Sequence, residues 1–94
     1  MSENSGGIMG VKIKIMPTSP SVNLKTIEET AKKLVEHEKG RNREYIIEPI
    51  AFGLKAVIAF FEWPEEAPLE RLEKRFMAIK DVSSIDIIDM RKIA

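Results

Sequence analysis

The sequence predicts an α+β domain in which two helices cover one face of a four-stranded antiparallel sheet. Three observations carry that expectation. A segment of period two and further segments rich in β-branched and aromatic residues are interspersed with two segments of helical period. Their order along the chain is β-α-β-β-α-β, and 94 residues are enough for one domain but not for two.

The first regular segment is Val11 to Met16, VKIKIM. Val11, Ile13 and Ile15 alternate with Lys12 and Lys14, as in a strand with one buried and one wet face. Pro17 and the run Pro-Thr-Ser-Pro-Ser end it, because proline has no amide to give to a ladder. Asn23 suits a helix N-cap, its side-chain oxygen able to accept from an amide of the first turn. Leu24, Ile27, Ala31, Leu34 and Val35 then fall on one helical stripe. On the other face Glu28–Lys32 and Glu29–Lys33 stand four apart with the acid first, the favourable order. Gly40 is the expected stop.

Tyr45–Ile50 (YIIEPI) and Leu54–Phe61 (LKAVIAFF) are rich in β-branched and aromatic residues and read as strands. Pro49 either demotes the end of the first of them or puts it at a sheet edge. Ala51-Phe52-Gly53 joins the two as a hairpin, with glycine available for positive φ, and Trp63-Pro64 closes the second. The next helix is expected to open between Glu65 and Pro68, with Pro68 in its first turn. Its stripe is Leu69, Leu72, Phe76 and Ile79. Val82 to Ile93 forms the last strand. Right-handed crossovers close this order as the split-βαβ, ferredoxin-like sandwich. Residues 1–8 read as a flexible extension or expression leader, with Met9 as the natural start and residues 9–94 as the single domain.

Composition narrows the chemistry. Fifteen basic and fifteen acidic residues give zero net charge, which argues against general nucleic-acid affinity. With no cysteine, thiolate catalysis, disulfides and paired-cysteine metal carriage are excluded. His37 alone builds neither a histidine metal site nor a Ser/His/Asp set, and reads as a solvated residue at a helix end. No apolar run approaches the ~20 residues of a membrane helix, and no secretory signal is present, so the expected address is the cytoplasm. An RNA-binding sheet would want stacking rings on its central strands, where the third strand is read as offering Leu54, Lys55, Val57 and Ala59 and the first strand, VKIKIM, has no aromatic. A small phosphatase would want an anion cradle beside a glycine-rich loop, and the only glycine pair is Gly6-Gly7. No cofactor or metal is expected.

Two features resist a purely structural account. Phe52 is a large apolar residue in a hairpin connection, where Gly, Asn and Asp predominate; it either folds over the sheet edge or offers its ring to a partner. The tail Met90-Arg91-Lys92-Ile93 sets two cations and two apolar groups at the end of a strand, a pattern that an ordinary amphipathic edge strand also gives.

At these two places the chain resembles the archaeal elongation factor 1-beta family. The run Pro49-Ile50-Ala51-Phe52-Gly53-Leu54-Lys55, preceded by Ile47-Glu48, is similar to that family's central motif. Asp86-Ile87-Ile88-Asp89-Met90-Arg91-Lys92-Ile93 is similar to its terminal strand, and Val11 to Pro17 fits its opening. Relatives usually end one residue after the lysine, whereas here Ala94 follows Ile93. The resemblance covers Met9 to Ile93. It implies a guanine-nucleotide exchange factor, acting by protein binding rather than covalent chemistry on the GTPase elongation factor 1-alpha. Phe52 is implied to enter a pocket on that GTPase and Lys92 to reach toward its Mg²⁺ site. Ile50, Ala51, Gly53, Leu54, Lys55 and Met90 would form the surrounding surface. Neither nucleic acid nor membrane is an implied partner, and a monomer is expected. The alternative is a regulatory module of the same fold that binds a small molecule, and a nucleic-acid-binding sheet stands third.

Overall fold

The computed structural model describes residues 6–94. Six elements follow in the expected order: β1 (Ile8–Pro17), α1 (Leu24–His37), β2 (Arg41–Pro49), β3 (Lys55–Pro64), α2 (Glu70–Met77) and β4 (Val82–Lys92). The strands form one antiparallel sheet ordered β2-β3-β1-β4, the ferredoxin-like arrangement. β1 and β3 are central, and β2 and β4 are the edges.

Alternation decides which face is covered. Val11, Ile13 and Ile15 stand opposite Phe61, Ala59 and Val57, and all six are fully buried beneath the helices. Ile27, Ala31 and Val35 of α1 and Leu72 and Phe76 of α2 complete the layer from above. Phe61 sits between Trp63 and Phe76 with centroid distances of 6.0 and 6.2 Å, both edge-to-face, the geometry the ring quadrupoles favour. Trp63 is thus a core residue, and its indole N–H donates to the Ala67 carbonyl at 3.1 Å.

Several boundaries differ from the sequence expectation. Asn23 caps α1 as expected, accepting from the Lys25 amide at 3.0 Å. The stop, however, uses Lys39, which takes the left-handed conformation at φ 83°. Gly40 is needed for space instead: a Cβ there would lie 2.6 Å from Val35 and 2.9 Å from Trp63. The amide of Gly40 reaches back to the Val35 carbonyl at 2.8 Å, satisfying one of the last helical carbonyls. Pro68 lies ahead of α2, which begins at Glu70. β2 starts at Arg41 and β3 runs through Trp63 to Pro64. β1 begins at Ile8, and the Gly7 amide already bonds to Glu65, so the ordered strand reaches into the segment expected to be an extension. The reading of residues 1–5 as extension or leader lies outside the described residues.

Glu38 ties the two helices together. Its carboxylate lies 3.3 Å from Arg71 Nε and 2.8 Å from Arg75 Nε. The contact to Arg75 is ionic, without hydrogen-bond alignment.

Phe61→Ala removes a ring that touches both layers. It is expected to destabilise the domain by about 3–5 kcal/mol, measured as a fall in the urea midpoint.

Candidate functional site

The β2–β3 connection is a turn over Ala51–Leu54. The Leu54 amide donates to the Ala51 carbonyl at 2.8 Å and the Ile50 amide to the Leu54 carbonyl at 2.9 Å. Both central residues have positive φ, 53° at Phe52 and 80° at Gly53, the signs of a type I′ turn that matches the twist of the flanking strands. Gly53 takes this conformation freely, but Phe52 does not. An L-residue with a Cβ pays roughly 1–2 kcal/mol there, and a bulky side chain makes it an outlier.

The strain is not offset by burial, because the Phe52 side chain is 98% exposed. Of the two sequence readings, folding over the sheet edge is therefore not what the ring does. Ile46, Ile47 and Ile50 are also exposed nearby. Ala51, Gly53 and Lys55 are exposed and Leu54 is half-buried. The turn thus gathers Phe52, Ile50, Ala51, Gly53, Leu54 and Lys55 at one end of the sheet. Ile46 and Ile47 were read as ordinary strand residues. Their exposure follows from β2 being an edge, which Pro49 suggested in the sequence.

Lys92 and Met90 are elsewhere. Met90 pairs with Val11 and Lys92 with Met9 in β4–β1 register, while Met9 stands opposite Trp63 of β3. From Lys55 to Trp63 is about 26 Å of strand at ~3.3 Å per residue, and the turn lies farther still. The domain is 51 Å long against 20 and 17 Å across, and the two motifs occupy its opposite ends. They do not form one patch.

At the Lys92 end the start of β1 meets the C-terminal residues. The Ile8 amide donates to the Ala94 carbonyl at 2.8 Å and the Ile93 amide to the Ile8 carbonyl at 2.8 Å. Lys92 Nζ lies 3.6 Å from Glu65 Oε1, and the Gly7 amide donates to that same oxygen at 2.9 Å. The Gly7 hydrogen bond first, and the Lys92 charge second, hold the Glu65 carboxyl below its ordinary value. Glu65 was missed as a neighbour of Lys92, since only the sheet topology brings the β3–α2 loop to the C-terminus.

The open face between the two ends is charge-balanced. Lys12 Nζ and the Arg43 guanidinium lie 5.4 and 5.7 Å from the centroid of Phe60, and Arg43 also pairs with Glu62. No group of three or more metal-ligating side chains occurs among the described residues, and no helix is long and apolar enough to cross a membrane.

A domain that strains a turn to hold an aromatic ring in solvent has the form of a protein-docking module. Residues 10–93 match the family described as the EF-1 guanine nucleotide exchange domain. The elongation factor 1-beta of Methanococcus vannielii is 40% identical over 80 residues, covering 84% of this chain and 90% of the relative. That of Methanocaldococcus jannaschii is 38% identical over the same shares. That of Methanosarcina barkeri is 32% identical over 88 residues, 93% of this chain and 99% of the relative. Among solved structures, the C-terminal domain of the MgtC protein from Mycobacterium tuberculosis superposes with a TM-score of 0.62 at 12% identity, covering 99% of this chain and 94% of that one. That likeness is one of fold alone. The chain belongs to the EF-1 guanine nucleotide exchange domain family and is an exchange factor of translation elongation; the small-molecule regulatory reading is set aside.

Two outcomes follow from this geometry. Phe52→Asn places a residue that tolerates the left-handed region at the strained position, and is expected to raise stability by about 0.5–1 kcal/mol, read from the urea midpoint. Glu65, with its folded pKa depressed, contributes stability that is present above its unfolded pKa and lost as pH falls through the folded value. The stability difference between the wild type and Glu65→Gln is therefore expected to be full at neutral pH and to vanish in acid. A difference independent of pH would mean that the carboxylate charge is not what acts.

Proposed function

We propose that the domain promotes GDP/GTP exchange on elongation factor 1-alpha by docking alone, in the cytoplasm, with no covalent step and no contact to nucleic acid. The observation that carries this reading is the Phe52 ring, 98% exposed at a positive φ. Neither burial nor turn preference favours phenylalanine there, and a partner's pocket does.

On this reading Phe52 enters a pocket of the GTPase, with Ile50, Ala51, Gly53, Leu54 and Lys55 packed around its rim. Lys92 and Met90 engage the same GTPase at the far end of the sheet, with the Lys92 ammonium directed toward the partner's Mg²⁺ site. A GTPase holds GDP through phosphate contacts and that bridging ion. A second cation brought into a partly desolvated site raises the potential at the ion, because like charges interact strongly at short range there. The ion or its ligands shift, and the nucleotide loses affinity. The coupling is reciprocal, so nucleotide rebinding weakens the factor in turn. The factor therefore speeds exchange in both directions and sets neither.

The test is release of a fluorescent GDP analogue from elongation factor 1-alpha, with the factor titrated. The wild type is expected to accelerate release by orders of magnitude. Phe52→Ala is expected to raise the factor concentration needed for half-maximal rate by roughly tenfold or more, as loss of a docking anchor does. Lys92→Ala is expected to lower the maximal rate while sparing docking. No acceleration by the wild type at any concentration would overturn the reading.

A further inference from the structure

The outer edge of β4 bears a self-complementary pattern. β4 is paired on one side only, with β1. Ile87, Ile88 and Met90 on it are 36%, 44% and 50% exposed, beside the charged Asp86, Asp89 and Arg91. A bulge interrupts the β1–β4 ladder: Lys12 pairs with Asp89 and Ile13 with Ile87, leaving Ile88 as the extra residue. The side-chain alternation shifts at that point. Ile85, Ile87 and Met90, opposite Ile15, Ile13 and Val11, all lie on the helix-covered face. Asp86, Asp89 and Arg91, opposite Lys14, Lys12 and Gly10, lie on the open face.

A second copy laid antiparallel along this edge, with the two-fold axis between Ile88 and Asp89, sets Ile87 opposite Met90 of the other copy. It also sets Asp86 opposite Arg91 of the other copy. Two-fold symmetry makes each pair occur twice. In an unbulged strand these partners would point to opposite faces and the register would be void. The bulge puts each pair on one face. The rows of the sheet then run on across the junction, with Ile13 and Ile87 continuing into Met90 and Val11 on the covered face. On the open face Lys14 and Asp86 continue into Arg91, with alternating charge. The two Asp89 carboxylates flank the axis, and each is held by its own Arg91 at 3.2 Å.

We propose that β4 pairs with β4 of a second copy of this chain in this register, joining the two sheets into one. A single strand–strand junction buries less than the roughly 1,000 Å² of a stable interface, so the dimer is weak and depends on concentration. The monomer expected from the sequence is its dilute state, and it is the state that leaves Met90 and Lys92 free for the GTPase, so pairing and docking exclude one another at this edge.

The test is sedimentation equilibrium of the full chain from about 10 µM to about 1 mM. The wild type is expected to dimerise reversibly. Asp86→Arg sets arginine opposite Arg91, and Arg91→Asp sets aspartate opposite Asp86. Each variant alone is expected to weaken association by about tenfold, as directly opposed like charges do. Both sites are exposed, and far-UV circular dichroism checks that the fold is kept. The two variants mixed are expected to form a heterodimer tighter than either homodimer, because both cross-strand pairs are then opposite in sign. The double variant is expected to recover wild-type association. A single monomeric species throughout, or association indifferent to the charge swaps, overturns the proposal.

Discussion

The alignment of β1 against β3 is the constraint on which the rest of the molecule depends. Val11, Ile13 and Ile15 facing Phe61, Ala59 and Val57 leave no exposed surface on any of the six. A slip of one residue would turn Lys12 and Lys14 under the helices and bury charges without partners, at a cost of several kcal/mol for each. Once that register is fixed, the positions of both ends follow. β3 carries the turn beyond the end of β1 at one pole, and the pairing of Met9 with Lys92 carries the C-terminus to the other. The separation of the two motifs is thus a property of the core rather than of the loops.

The same one-sided burial made some of the elements legible in the sequence, and it also explains what was not legible. Periods of two and 3.6 report a buried face, and they marked β1, α1 and α2, whereas β2, β3 and β4 were legible only through their β-branched and aromatic content, β2 and β4 having no fully buried residue. Arg41 to Glu44 has no apolar period, because this part of β2 is held from outside itself. It pairs with β3, and Arg43, the extra residue of a bulge, engages Glu62 and Phe60. Pro68 read as a first-turn residue because local preference allows it, but the buried Leu69 fixes where the helix can begin. Gly40 read as the stop by its conformational freedom, whereas packing against Val35 and Trp63 needs its missing side chain. Phe52 stood out from sequence because it broke a turn preference. Its exposure and the distance to Lys92 depend on strand lengths and topology, which no local pattern encodes.

Zero net charge is resolved locally rather than spread. On the open face, Lys12 and Arg43 lie over Phe60 and Arg43 pairs with Glu62 beside it, so the one aromatic of that face is not free to stack on a base. Apart from Ile46, opposite Ile58 on that face, and Met77 of α2, the exposed large apolar residues lie elsewhere. Ile47, Ile50 and Phe52 lie toward the turn, and Ile87, Ile88, Met90 and Ile93 lie along β4 and its tail. A surface so divided offers two separate adhesive regions with a polar field between them. An extended partner, or two partners, fits that arrangement better than a single compact ligand.

A rigid sheet between two contacts gives the proposed exchange a physical route. Strands in register transmit little deformation along their length, so seating the Phe52 end also fixes where the Lys92 end must lie on the same partner. Strain at Phe52 helps in this respect. A left-handed phenylalanine braced by the two turn hydrogen bonds presents its ring in a restricted set of directions, which lowers the ordering entropy lost on docking. On that reading the binding energy gathered at one pole is available to hold an unfavourable cation–cation approach at the other, with the partner's nucleotide site as the element that yields. The stable core and the strained turn then serve one end: the domain stays unchanged while the partner's grip on its nucleotide is loosened.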